Sequence, residues 1–433
     1  MPETPALADL ARAAAELPLE SVPDSVRGHA LRVLADTLGV IMAGARKPEI
    51  DRLLAGDGAL FQPLGGGPCQ VLRPGLPGAD PVTAAFVNGT AGTFLELDEG
   101  CRPTGHPAVH VVPAALAAAQ ALHRSGSELL AAVLSGYEVT ARLFEAYRLT
   151  YPLHPHGHFG AVGAAVAVAR LRRADAAEPA LIAATLPLLP VWNSCYEGAT
   201  ARNAYAGVAS AIGVTANRMA AAGFTGSRQA QEVAFGELVG RLQNPAALSP
   251  EIDPVRPRIL NDYLKLHSAC ALSHAALDAV LELAPEASQV QRVEVETVAN
   301  NMKLDRQASP NELSTRFSLP YAVAAAIVHG HTRPDAFIPD RAVSALAERV
   351  TIRQAGDLEA GWPDRAPARV TVHTSAGART AEVQNPRGHH ANPATPGELR
   401  RKFEMLCWTS DPAATYERLL GLERVADCAE LYQ

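Results

Sequence analysis

Apolar residues recur at helical spacing through most of the first 260 positions. In HALRVLADTLGVIMAG, Leu31, Leu34, Leu38 and Ile41 fall three and four apart, which predicts a helix with one buried face; Asp36 and Thr37 do not interrupt it. Pro107–Leu122 is Ala-rich and opens on proline, a favoured first helical residue, and Leu129–Glu145 repeats the pattern. Gly160–Leu171 and Ala204–Ala222 mix Gly and Ala with Val, a composition that lets neighbouring backbones come close. No period-two stretch occurs before residue 290, and strands do not alternate with helices, which argues against a doubly wound parallel sheet.

The texture changes after about residue 262. In VQRVEVETV, Val290, Val293, Val295 and Val298 approach period two and predict a strand. Pro320–Val328 returns to helix, and Ala342–Arg349 is a helix feeding the short strand VTIRQ. ARVTVHT and RTAEVQ flank the turn-like SAGA, which predicts a hairpin. Pro393–Ser410 and Pro412–Leu420 are helical again. The expected architecture is mainly α: a large helical domain, residues 1–262 plus 393–433, interrupted by a smaller α+β domain, residues 263–392. There is no internal repeat and no low-complexity linker.

Composition narrows the function classes. The 433 residues are 48% apolar and 19% charged, enough for a sizeable core and too little charge for a disordered chain. Aromatics are only 5%, so the core must be Ala, Leu and Val. The net charge, 38 − 45 = −7, and the lack of a basic stripe argue against nucleic acid as a partner; the densest basic stretches are Arg172–Arg173 and Arg400–Lys402. Six cysteines form no CxxC pair, consistent with reduced thiols in a cytoplasm. The N-terminal segment lacks a signal-peptide pattern. The apolar stretch Leu181–Trp192 is broken by Pro187 and Pro190, well short of the roughly 20 residues a membrane span needs. A cytoplasmic protein without a membrane partner is expected.

Five segments carry candidate chemistry. In NGTAGTFLELDEGCRPTGHP, the acids Glu96, Asp98 and Glu99 precede His106; a carboxylate beside a histidine fixes its tautomer and suits acid–base work, although an acidic loop followed by a helix cap reads the same way. His154, His156 and His158 alternate, and His106 and His110 are four apart, but Pro155 and Gly157 break a regular strand and no HExxH occurs, so no metal site is expected. Arg202, among Ala, Asn and Gly, is either a carboxylate fork or an ion-pair partner. KLHSACALSH, from Lys265 to His274, lies where the helical half gives way to the α+β half, a favoured position for pockets. Tyr321 follows Pro320 at a helix start, where a core tyrosine with a satisfied hydroxyl is the plain alternative. GxGxxG, GxxxxGK[ST] and GxSxG are absent, so dinucleotide, P-loop and α/β-hydrolase sites lack their motifs.

Taken in order, DTLGVIMAG, AAFVNGTAGTFLELDEG, GHPAVHVVPAALA, HPHGHFGAVGAAVAVARL, NAYAGVASAIGV, the Lys265 segment and RFSLPYAVAAAIVHG resemble the MmgE/PrpD family across almost the whole chain. That family includes 2-methylcitrate dehydratase, cis-aconitate decarboxylase and iminodisuccinate epimerase. The resemblance implies a helical domain with an α+β lid, a homodimer, and a pocket between the domains. His106 matches the histidine of the family's HP motif, His154 the histidine of a second HP pair, Lys265 the lysine opening the lid, and Tyr321 the tyrosine of FSxxY. Three positions depart from the decarboxylase branch: Glu96 stands for Asp, Arg202 for Lys, and Cys270 for a pocket His. The pocket type carries over, and the departures point away from cis-aconitate.

The implied chemistry is proton transfer next to a carboxylate, without metal or organic cofactor, on a small hydroxy-carboxylic acid. The expected reaction is a hydro-lyase elimination. His106 would move the Cα proton, tuned by Glu96 or Asp98; His154 or Tyr321 would protonate the leaving group; Arg202 and Lys265 would clamp carboxylates beside Cys270. An epimerase or decarboxylase on a related acid, and a catalytically silent carboxylate binder, are the alternatives.

Overall fold

A computed structural model describes residues 6–56, 66–76, 78–186, 188–229, 231–307 and 311–432. The readings that involve residues 1–5 and Pro187 lie outside the described residues.

The helices forecast from periodicity are present at Asp24–Gly44, Pro107–Ala121, Gly126–Ala146, His158–Arg172 and Ala204–Ala221. The His158–Arg172 helix is central and packs on the other three that follow the first of these. Its small residues set the spacing. A Cβ on Gly163 would lie 1.9 Å from Thr140 Oγ1 and 2.4 Å from the carbonyl oxygen of Gly136. The backbones at this crossing leave no room for even a methyl group. Ser125 and Glu128 form a reciprocal cap at the start of Gly126–Ala146, satisfying two of the amides that a helix start leaves free.

The C-terminal region holds the one extended sheet among the described residues. Its order is Val350–Gln354, Val290–Thr297, Ala368–Thr374, Gly377–Val383; the first pair is parallel and the others antiparallel. Val293 pairs with both Val350 and Val372, and Val295 with Val370, so one face is a valine layer. That layer is buried with apolar residues of the His274–Leu283 and Leu319–His329 helices. The same apolar cluster also takes in Trp192 and Cys195 from the N-terminal part of the chain.

The last helices return to the N-terminal body. Leu399, Phe403, Leu419 and Leu422 are buried in the same apolar cluster as Leu34, Leu38 and Leu116. Lys402 donates to Asp36 at 2.8 Å and to the Leu97 carbonyl at 3.0 Å in the same interior. The helix expected over Pro393–Ser410 is shorter, Pro396–Leu406, because Thr395 and Glu398 cap each other and fix its start.

Two features correct the reading of an all-helical first half. Gly100–Cys101 pairs with Asp262–Tyr263, and Tyr147–Leu149 pairs with Gly240–Leu242, both antiparallel. At two or three residues a strand, these ribbons are too short to show alternation. Neither joins the four-stranded sheet. No described helix is long and apolar enough to cross a membrane.

Phe403 joins the tail helix to the first long helix: a Cβ on Gly39 would lie 2.8 Å from its ring. Phe403→Ala is expected to cost about 3–5 kcal/mol, the usual range for emptying a buried aromatic site. Chemical denaturation followed by circular dichroism measures it; a loss under 1 kcal/mol would show that the tail helices contribute little to the helical body.

Candidate active site

A cavity of about 830 Å³ lies where the first ribbon, the second ribbon and the start of the C-terminal region meet. Glu96, His106, His154, Arg202, Lys265 and Cys270 all line it. The sequence separates the first and last of these by more than 170 positions, and short segments bring them together. Ser268 Oγ donates to the Leu95 carbonyl at 2.5 Å, and Thr93 Oγ1 to the Asn203 carbonyl at 2.8 Å. These clips tie the Lys265 and Arg202 segments to the acidic one.

Four charges sit at the floor. Glu96 forms an ion pair with Arg202, and Lys265 Nζ lies 3.3 Å from Glu96 and 3.0 Å from Asp98. All four side chains are only 1–2% exposed. The formal charge of the quartet is zero, which is the condition for burying it. Burial alone would lower the Lys265 and Arg202 pKa values; Asp98 and Glu96 more than reverse this for Lys265, and Glu96 leads the reversal for Arg202. Both remain charged. Glu96 has φ 50°, in the left-handed region, where a non-glycine residue is strained by about 1–3 kcal/mol. Its two cationic neighbours hold it there.

Asp98 is the hub. Its Oδ1 takes Lys265, and its Oδ2 faces His106 Nδ1 at 3.0 Å and His156 Nε2 at 3.2 Å. Burial pushes the Asp98 pKa up, but Lys265, then His106 and the hydrogen bonds from both histidines, hold it well below the usual carboxylate range. His106 Nδ1 also lies 2.7 Å from the Glu99 carbonyl oxygen. Two acceptors at Nδ1 place the proton there, which leaves Nε2 with a free lone pair at the cavity wall.

His154 and His110 are held neutral. His154 Nδ1 accepts from the His156 amide at 3.1 Å, so its proton is on Nε2. Burial, then His156 and Arg202, hold its pKa well below the ordinary value. His110 spends both ring nitrogens on backbone, at the His106 carbonyl and the Gly157 amide, and burial lowers its pKa to about 4. Among the described residues, only Asp98, His106 and His156 bring metal-ligand atoms together, all within 4.8 Å. The Lys265 ammonium occupies the cation position beside that carboxylate. The donor set fits a hydrogen-bond network rather than an ion.

Tyr321 requires correction. Its hydroxyl donates to the Ile338 carbonyl at 3.1 Å and accepts from the Asp340 amide at 3.0 Å. The residue is buried in the C-terminal core and is not among those lining the cavity. It fastens the end of its own helix to the next loop. Cys270 lines the cavity as a neutral thiol, its pKa pushed up to about 11 by burial and then Glu96. Several lining residues escaped sequence reasoning: Arg102, Trp192, Tyr263 and Lys303. Arg102 stood inside the acidic segment, and Lys303 was a lone cation in VANNMKL.

The chain is mainly helical, and its buried Asp98–His106 pair faces a cavity lined by cationic side chains. The chain belongs to the MmgE/PrpD family: the N-terminal domain model matches residues 8–243 and the C-terminal domain model residues 267–427. It is similar to the human cis-aconitate decarboxylase, 27% identical over 394 residues, covering 81% of this chain and 78% of that protein. The mouse cis-aconitate decarboxylase is 25% identical, with the same coverage of 81% and 78%.

Glu99 supplies a stability test. It is fully buried, hydrogen-bonded to Tyr137 at 2.5 Å and accepting from the Ala108 amide at 2.9 Å. Burial raises its pKa well above the ordinary 4.5 despite these bonds. A raised carboxyl pKa means that the folded state holds a proton the unfolded state has lost, so stability falls as pH rises above the unfolded value. Glu99→Gln removes that penalty. The melting temperature of the variant relative to wild type is expected to rise between pH 5 and pH 8; a gap that shrinks or stays flat over this range contradicts a protonated Glu99.

Proposed function

We propose that this protein is a cofactor-independent lyase that removes a proton beside a carboxylate of a small hydroxy acid, with loss of water from the neighbouring carbon. The observation that carries this reading is the Asp98–His106 pair, with His106 Nδ1 3.0 Å from a carboxylate that Lys265 keeps ionised. The free Nε2 takes the Cα proton, and Asp98 stabilises the imidazolium that forms. The carbanion spreads onto the substrate carboxylate, where cationic side chains and the Nε2–H of neutral His154 meet the growing charge. A neutral imidazole is a better hydrogen-bond donor to an enolate than a proton source, the use made of a neutral histidine in triosephosphate isomerase. The His106 imidazolium then gives its proton to the departing hydroxide, and the elimination balances as alkene plus water.

This assignment changes the parts given to Arg202 and Lys265. Each already has a carboxylate partner in the protein, so their first task is to hold Glu96 and Asp98, and a direct substrate contact comes second. We also propose that residues 263–392 act as a lid through Lys265, and that the chain works in the cytoplasm as a homodimer; exposed Leu189, Phe224 and Leu238 are apolar surface that a second copy could cover. Decarboxylation is the second reading, favoured by the names of the two similar proteins. Glu96, Arg202 and Cys270, which depart from that branch, weigh against the same substrate.

The test is a panel of β-hydroxy acids in D₂O, followed by alkene absorbance and by NMR of the Cα–H. Alkene formation is expected, unaffected by a chelator. Exchange with inversion but no alkene would assign an epimerase, release of CO₂ a decarboxylase, and no exchange with any acid a silent binder. His106→Gln should lower turnover by roughly 10²–10⁴ while the protein stays folded. A folded variant with more than half the wild-type rate would remove His106 from the mechanism.

A further inference from the structure

The cavity wall is strongly asymmetric in charge. Six of its lining side chains are basic, Arg102, Arg148, Arg202, Arg241, Lys265 and Lys303, and only Glu96 is acidic. Arg202 and Lys265 are neutralised within the protein, as described above. Among the described residues, no carboxylate lies within ion-pair distance, 4.0 Å, of any of the other four. Arg148 and Arg241 are exposed at the rim, where water solvates them. Arg102 and Lys303 are not.

Arg102 comes from the loop after Gly100–Cys101, and its guanidinium lies over the rings of Tyr263 and Trp362, 5.2 and 6.0 Å from their centroids. Its Nε donates to His389 Nε2 at 3.2 Å. The remaining fork, Nη1 and Nη2, has no protein acceptor among the described residues. Lys303 comes from the segment Ala299–Leu304 of the C-terminal region, and its Nζ lies 4.7 Å over the Trp192 ring. Its ammonium likewise has no protein acceptor among the described residues. Aromatic faces attract cations, but they do not replace the hydration that burial strips away.

The four lining cations that are not exposed, Lys265, Arg202, Arg102 and Lys303, fall into two pairs by their surroundings. Acids raise the Lys265 and Arg202 pKa values above the ordinary ones. Burial lowers those of Arg102 and Lys303, with no neighbouring carboxylate strong enough to reverse it. A half-buried cation without a counter-ion, facing a cavity, is a site waiting for an anion.

We propose that Arg102 and Lys303 are the substrate-anion receptors of this cavity, each taking one carboxylate. This rests on the proton-transfer reading for the reacting centre but not for the binding. Arg102 suits a planar carboxylate held by two parallel N–H bonds. Lys303 acts as a point charge that tolerates a range of geometries. The two residues come from the two halves of the chain, so a ligand that touches both spans the junction between them. The reacting carbon then lies between the receptors, beside His106, and acids with a single carboxylate lack one anchor.

The experiment measures affinity rather than turnover. Succinate and tricarballylate are compared with butyrate by isothermal titration calorimetry at low salt, on wild type, Arg102→Gln, Arg102→Lys, Lys303→Met and His106→Gln. Wild type is expected to prefer the polyanions by at least about tenfold, the effect of one added hydrogen bond between charged groups. Arg102→Gln and Lys303→Met should each erase most of that preference, with butyrate affected less. Arg102→Lys keeps the charge over both rings and should fall between, because the fork is lost. Melting curves accompany each titration; if Arg102→Gln does not fold, Arg102→Lys and Lys303→Met decide. No polyanion preference in wild type, or a preference unchanged within about twofold in the Arg102 and Lys303 variants, overturns the proposal. His106→Gln separates the two readings. Polyanion binding retained there with turnover lost supports both. Turnover retained in His106→Gln, with binding lost in the other variants, removes the proton-transfer assignment and leaves the receptors in place.

Discussion

The site depends on one constraint: four charges buried together must sum to zero. Glu96, Asp98, Arg202 and Lys265 meet that condition across three chain segments that are otherwise far apart. Removing one partner leaves an uncompensated charge in the interior, which typically costs about 3–5 kcal/mol. The quartet therefore locks the acidic loop to the start of the Ala204–Ala221 helix and to the entry of the C-terminal region. The strained backbone at Glu96 fits this account, since its left-handed φ is held only while both cations grip the side chain.

The same cluster sets the protonation of everything around it. Because Lys265 holds Asp98 ionised, Asp98 can take an N–H from His106 and another from His156, which fixes both rings. Burial first, and then the positive charge at Arg202 and the crowding of imidazoles, disfavour protonation of His154 and His156. Five histidines in two short segments thus have distinct duties. His110 and His154 each spend Nδ1 on the backbone, His156 braces Asp98, half-buried His158 has a pKa lowered to about 4, and only His106 combines an oriented ring with a free lone pair on the cavity.

Much of this was legible in the residue order. Helix positions follow from apolar spacing, and the strand at Val290–Thr297 from the valines at 290, 293 and 295. The short ribbons were invisible because two or three residues cannot display a period. For the site, residue type singled out Glu96, Asp98, His106, Arg202 and Lys265, since charges in small-residue or apolar surroundings need partners. What sequence could not supply was who pairs with whom. Arg202 and Lys265 read as substrate clamps until their acids were located. Tyr321 shared a motif with pocket residues, yet its hydroxyl is consumed by Ile338 and Asp340. Arg102 and Lys303 were overlooked for the converse reason: nothing in the sequence marks a cation as lacking a partner.

Pairing also bears on how a chain of net charge −7 would host the proposed anion site. Distant surface acids are screened by salt within about 10 Å, so the field that a ligand meets is that of the wall nearest to it. There the inner cations are cancelled and the outer ones are not. The division has a mechanistic consequence. If the cations nearest His106 were free, they would bind the ground-state carboxylate as tightly as the enolate and gain nothing in rate. With their charge committed to Asp98 and Glu96, they hold the base in place instead. On the proposed reading, ground-state binding falls to Arg102 and Lys303, and the centre at His106 is left to respond to charge only as it develops.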